Sequence, residues 1–167
     1  ILQLQEAGTL SIKDALCRWI APCPDAWSGV TLEQLLHHTS GIPEIWNLIQ
    51  AGGYSAAHPA MQADAMSLLR NQDQLNFEPG QFFEGNGSNY LLLAEVVQSA
   101  SGQSLPDFLR DRVFTPVQLD IDSAGEASGD VAVNYAEVLG QLQPALPDGL
   151  LVNGPGLQLG TPTVPVR

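Results

Sequence analysis

Residues Thr31–Pro43 read TLEQLLHHTSGIP, and this stretch sets how the rest of the chain is understood. Thr31 stands before an apolar run and Gln34 follows three residues later. That is the spacing of a capping box, in which a threonine hydroxyl and a glutamine side chain each satisfy the other residue's free backbone N–H. A helix is therefore expected over Leu32–His38, with Gly41 and Pro43 ending it.

Working outward toward the start, Ile1–Gly8 (ILQLQEAG) reads as the tail of a helix already under way, with Gly8 as its stop. The chain is expected to begin in mid-element, and no signal peptide is read in it. Ser11 with Asp14 resembles a second capping box, opening a segment through Ile20 that Pro22 and Pro24 stop.

On the other side, Pro59 suits the first turn of a helix to about Gln72, with Met61, Ala65, Leu68 and Leu69 inward. Glu78-Pro79-Gly80 reverses the chain. Ser88 is expected to cap a helix over Asn89–Ser99 that stops at Gly102. Ser104 with Asp107 opens Leu105–Phe114, with Pro106 in the first turn and Pro116 beyond the end. After Leu119 the pattern weakens: 131–142 fits one more helix or an extended piece, and the tail from Gly154 is too rich in Pro and Gly for a regular element. Few alternating strand patterns occur, so the expectation is a mainly α chain.

The 167 residues fit one domain or one large lobe, and 44% hydrophobic content supports a packed core. With 18 acidic against 6 basic residues the net charge is −12. Phosphate binding needs clustered cations, so no nucleic-acid partner is expected, and an anionic membrane surface is disfavoured for the same Coulombic reason. Cys17 and Cys23 flank Arg-Trp-Ile-Ala-Pro; a disulfide in an exported protein and two inert thiols both fit them. No metal site is expected, because neither cysteine has soft ligands nearby. His37 and His38, adjacent on a helix, diverge by about 100° and so cannot chelate together. No cofactor loop is read either: GNGSN lacks the Gly-x-Gly-x-x-Gly spacing and any lysine.

Nucleophilic catalysis by serine needs a base and an oxyanion hole. Gly-x-Ser-x-Gly occurs nowhere. Lys13 is the only lysine, and Leu10 stands three residues before it. Ser-x-x-Lys, which sets an amine beside a hydroxyl one helical turn away, is therefore absent, and so is Lys-Thr-Gly.

Leu35–Pro43, LLHHTSGIP, nevertheless resembles the LLxHTSGxP signature of the β-lactamase-related serine hydrolases, which include class C β-lactamases, D-alanyl-D-alanine carboxypeptidases and esterases. Ile1–Leu10 resembles the helix that follows the nucleophile in that family. FEPGQFF from Phe77 resembles its F-x-PG-x-x-F turn, and SGQSLPDFLRDRVFTPVQL from Ser101 resembles the segment after it. The four stretches keep their order, and the resemblance covers roughly Ile1 to Leu119, with a fainter echo at Asn153–Gly156.

The resemblance implies a fold and a site. The fold would be the helical lobe of the α/β β-lactamase and penicillin-binding-protein architecture, with little or none of its sheet. Residues 1–119 would form the lobe and 120–167 an irregular part of the same domain. The nucleophile would lie upstream of Ile1 and the Lys-Thr-Gly strand beyond Arg167. The family carries Tyr-x-Asn in the turn after F-x-PG, where this chain reads FFEGNGSNY (Phe82–Tyr90). Aligned without gaps, Gly85 takes the Tyr place and Gly87 the Asn place; a one-residue slip puts Glu84 and Asn86 there instead. Glycine offers no proton-transfer group. A tight helix entry that uses glycine's positive φ, with Ser88 as cap, is the competing structural reading.

The function implied is acyl transfer from β-lactam, D-Ala-D-Ala peptide or ester carbonyls, inactive in the chain as it stands. The alternative is a non-catalytic binding or scaffold module on the same fold. The partners implied are a small-molecule or peptide substrate and, through apolar surface left uncovered by a missing sheet, another copy of the chain. The family is periplasmic, secreted or membrane-anchored.

Overall fold

The computed structural model describes residues 1–54 and 60–119, together with two short strands at 135–138 and 141–144. The chain enters through α1 (Leu2–Glu6), and Gly8 ends it at φ 72°. The expected segment from Ser11 to Ile20 is not a continuous helix. Ser11 and Asp14 do close a local turn, the Ser11 N–H donating to Asp14 Oδ2 at 3.0 Å. The Leu16 N–H, however, donates across the chain to the Val30 carbonyl, and Ala15 bridges Thr31. Only a single 3₁₀ turn, Leu16–Arg18, survives, because these backbone groups are spent on the neighbouring segment. Cys17 and Cys23 are joined as a disulfide, which closes the loop between them.

Thr31 and Gln34 form the reciprocal capping box of α2 (Leu32–Leu36). The helix is shorter than expected because His37 is already its C-cap and His38 takes φ 57°. A helix the sequence reading did not include follows at once: α3, Ile45–Ala51, capped by Glu44. Then come α4 (Gln62–Arg70), α5 (Gly87–Ser101) and α6 (Leu105–Leu109). α4 lies within the expected span, although its expected start at Pro59 falls outside the described residues. At α6, Ser104 caps and Pro106 sits in the first turn as read; the last part, Arg110–Phe114, widens into a π turn.

α5 is the axis. Eight of its residues, including Leu91, Leu92, Leu93, Val96 and Val97, are buried over most of its circumference. A helix apolar nearly all round must be enclosed, and α1, α2, α3 and α6 pack around it. Each fully buried Leu or Val contributes about 1.5–3 kcal/mol. Gly102 stops α5 at φ 72°, as expected.

The expected serine cap of α5 is a correction. Asn86 is the N-cap, its side chain accepting the Asn89 N–H, and Ser88 lies inside the first turn. Ser88 Oγ instead donates to the Pro43 carbonyl at 2.6 Å and accepts the Ile45 N–H at 2.7 Å, so it ties α5 to the start of α3. Of the region 131–142, Tyr135–Val138 is extended and pairs antiparallel with Gln141–Pro144. The described residues are thus mainly helical, with one two-stranded ribbon. No helix among them is long and apolar enough to cross a membrane.

Candidate functional site

Three turns converge at the N-terminal end of α5: His38–Glu44, the Phe77–Gly80 reversal, and Glu84–Ser88. The backbone joins them first. The Gly80 N–H donates to the Thr39 carbonyl, the Asn76 N–H to the Gly41 carbonyl, and the Glu84 N–H to the His38 carbonyl. Gly41, at φ 76°, faces the Phe77 carbonyl so closely that a Cβ there would collide with it.

A polar side-chain network then locks the junction. Ser40 Oγ accepts the Ile42 N–H at 3.1 Å and donates to Asn89 Oδ1 at 2.5 Å. The same amide turns its Nδ2 to His38 Nδ1 at 3.0 Å, and the Asn86 N–H reaches that nitrogen at 3.4 Å. Both partners of Nδ1 are N–H donors, so Nδ1 accepts and the ring proton sits on Nε2. The imidazole stacks on Tyr90 at 5.2 Å and meets the edge of Phe83 at 6.0 Å. Ser40, Asn86 and Asn89 are buried, yet each has its partners, as a buried polar group must.

Glu44 works at two helix ends at once. Oε1 accepts the Trp46 N–H at 3.1 Å, capping α3, and Oε2 accepts the Gly87 N–H at 2.7 Å, at the first residue of α5. A carboxylate between two helix N-termini meets free N–H groups and the positive ends of both dipoles.

The four residues singled out from the sequence therefore have distinct fates. Asn86 is buried, with Nδ2 donating to the Ile42 carbonyl at 2.8 Å and Oδ1 capping α5. Glu84 is half-buried and accepts Asn76 Nδ2 at 3.0 Å. Gly85 is exposed at the rim, and a Cβ there would find nothing nearer than the Phe83 ring at 3.6 Å. Gly87 has room for a Cβ 3.4 Å from Glu44 Oε1 and from Trp46 Nε1. GNGS does form the entry to α5, as the structural reading has it, but neither glycine has positive φ and the cap is Asn86 rather than Ser88.

Sequence reasoning missed His38, Ser40, Glu44, Asn89 and Tyr90 as parts of one constellation. They are brought together across 43 to 51 residues, and only their crowding around two motifs could have hinted at it. Beside them Phe82, Phe83 and Tyr90 are exposed, at 59%, 73% and 50%. Tyr90 also borders an open apolar groove shared by Leu2, Leu93, Leu105 and Phe108. Among the described residues, no three His, Cys, Asp or Glu side chains gather where a metal ion could be held. The arrangement can orient a ligand at a preformed edge; it presents no paired nucleophile and base.

A family described as "Beta-lactamase" matches residues 1–156. "Penicillin-binding protein 4*" of Bacillus subtilis (strain 168) is 32% identical over 121 residues, which is 72% of this chain and 26% of that protein. A "D-aminopeptidase" of Cereibacter sphaeroides is 28% identical over 110 residues, 66% of this chain and 21% of that protein. Among solved structures, a penicillin-binding protein from Bacillus halodurans superposes with a TM-score of 0.68 at 27% identity, covering 85% of this chain and 44% of the other. The chain thus spans about a quarter or less of the length of these two curated relatives.

Proposed function

The chain belongs to the β-lactamase family, and from that premise we propose that it forms the helical lobe and one cleft edge of an acyl-transferring serine hydrolase. The substrate class is a carbonyl compound of the β-lactam, D-Ala-D-Ala peptide or small-ester kind. In this reading the 167 residues position and recognise the substrate but do not carry the acylation chemistry.

The observation that carries the reading is the bare rim. The turn Glu84–Ser88 is hydrogen-bonded to His38, Ile42 and Glu44, yet the side-chain positions at Gly85 and Gly87 are empty. The ungapped pairing with Tyr-x-Asn is supported over the slipped one by Asn86, whose amide already serves Ile42 and Asn89. An edge bare at Gly85 and Gly87, with Glu84 bonded to Asn76, serves binding, which also keeps the non-catalytic binding module as a second reading.

The test is acylation. Incubated with a β-lactam or a fluorophosphonate, the purified chain is expected to keep its intact mass, since no Ser-x-x-Lys activates any of its serines. A stoichiometric adduct on any serine overturns the proposal.

A further inference from the structure

Toward the C-terminal end of α5, away from the rim, a pocket of about 290 Å³ opens between α5, the last turn of α4 and the disulfide-closed loop. Arg70, Glu95, Gln98, Ser99, Trp19 and Ile20 line it. Its charged groups are arranged unusually. Arg70 Nε is buried with no hydrogen-bond partner, and the guanidinium forms no ion pair among the described residues. Because Nε is covered by protein, an anion entering the pocket meets the terminal guanidinium nitrogens, whose charge no carboxylate among the described residues pairs.

Glu95 enters the same pocket from α5. Its Oε1 accepts Gln62 Nε2 at 2.7 Å, and it does not pair with Arg70. In a chain with three times as many acidic as basic residues, an arginine left apart from a carboxylate in the same pocket implies a ligand that answers both. A lone arginine would welcome any anion. The neighbouring carboxylate repels a dianion and admits a ligand that brings its own cation.

The remaining wall is apolar. Trp19 already gives its Nε1–H to Asp14 at 3.2 Å and carries Arg18 over its ring at 5.2 Å, so what it adds to the pocket is aromatic surface. Ile20, 4% exposed, extends it. A volume of about 290 Å³ lies just below the range of about 300–1,000 Å³ typical of small-molecule sites, which suits a ligand smaller than a drug.

We propose that this pocket binds a free α-amino acid in its zwitterionic form, with an apolar side chain. The α-carboxylate lies on Arg70, the α-ammonium on Glu95, and the side chain on Trp19 and Ile20. Gln98 and Ser99 supply further polar contacts. The site is independent of the hydrolase reading and does not use the rim.

The experiment is calorimetric titration of the 167-residue chain with L-leucine and D-leucine, alongside leucinamide, which lacks the carboxylate, and 4-methylpentanoate, which lacks the ammonium. At least one leucine enantiomer is expected to bind saturably with Kd of about 1 mM or tighter. Both analogues are expected to bind at least about tenfold more weakly, the scale of one charge-assisted hydrogen bond. Arg70→Met, which keeps the apolar stem, and Glu95→Gln are expected to lose the same factor. No saturable leucine binding up to about 50 mM overturns the proposal. So does leucinamide or 4-methylpentanoate matching leucine, or Arg70→Met leaving affinity unchanged. The analogue series on the parent chain decides the matter if either variant fails to fold.

Discussion

In the turn Ser40–Pro43, Gly41 has φ 76° and its missing side chain makes room for the Phe77 carbonyl. In the turn Glu84–Ser88, which packs against it, Gly85 and Gly87 have no positive φ, and a Cβ at either would meet only ordinary neighbours. The first glycine is demanded by the backbone. The other two are not, so the bare rim is a property of this sequence rather than a requirement of the fold. A glycine argued from sequence alone looks the same in both places; the backbone angle and the space around it separate them.

The contrast is broken most directly at Gly41. Gly41→Ala adds left-handed strain to a collision with a backbone carbonyl that cannot rotate away, a combination expected to cost about 4 kcal/mol or more. Urea denaturation followed by circular dichroism measures it. An alanine variant within about 1 kcal/mol of the parent would show that the two turns are not different in kind.

A second expectation concerns the amide that ties the turns together. Asn89 is fully buried and bonded to Ser40, His38 and Asn86. Asn89→Ala strands the Ser40 hydroxyl and opens a small cavity, so a loss of about 2–4 kcal/mol is expected in the same denaturation assay. Asn89→Asp keeps the shape but replaces the donor facing His38 Nδ1 with an acceptor. It should recover little stability, and full recovery would mean that the His38 ring turns an Nδ1–H to the new carboxylate, so that a donor at position 89 is not what the junction requires.

Acid tests a region outside both turns. The Ser11 backbone N–H, with the Trp19 indole and Arg18, holds the Asp14 carboxyl below its ordinary range, and the Ser104 hydroxyl, with Arg110, does the same for Asp107. A carboxyl whose folded pKa lies below its unfolded value stabilises the fold above the ordinary carboxylate range, and that contribution disappears as pH falls through the depressed value. Stability is therefore expected to fall on acidification from about pH 4 downward, less steeply in Asp14→Asn. Identical acid profiles for the variant and the parent would remove Asp14 from the account.

Much of this fold could be read locally. Thr31 with Gln34, Ser104 with Pro106, and Gly8 and Gly102 as stops act within a few residues, where side-chain spacing fixes geometry. The misreadings share a cause. Ser11–Ile20 looked helical until Leu16 found Val30, and Ser88 looked like a cap until Pro43 and Ile45 claimed its hydroxyl. α3 went unseen because its cap, Glu44, is not among the usual capping residues and owes its position partly to Gly87. The site was less legible than the fold. The resemblance located its two turns, but the partners that fix Asn86, Gly87 and His38 lie more than 40 residues away in sequence.

The smallest expected effect is the sharpest for the comparison. Gly87 is the first residue of α5, and Gly85 lies in an exposed stretch just before it. Because both backbones are already in regions that alanine adopts, Gly→Ala there should act chiefly by narrowing the unfolded ensemble, worth about 0.4–1 kcal/mol of added stability. At 87 the new methyl would stand 3.4 Å from Glu44 Oε1 and Trp46 Nε1, close enough to trim the gain; at 85 the Phe83 ring, at 3.6 Å, leaves the methyl free. Gly85→Ala is thus expected to stabilise slightly more than Gly87→Ala, with neither falling below the parent. The two variants differ by little, so paired denaturation curves with a shared slope are needed to resolve them. A loss of more than about 1 kcal/mol in either would mean that the rim needs glycine after all, and that its bareness is imposed by the fold as it is at Gly41.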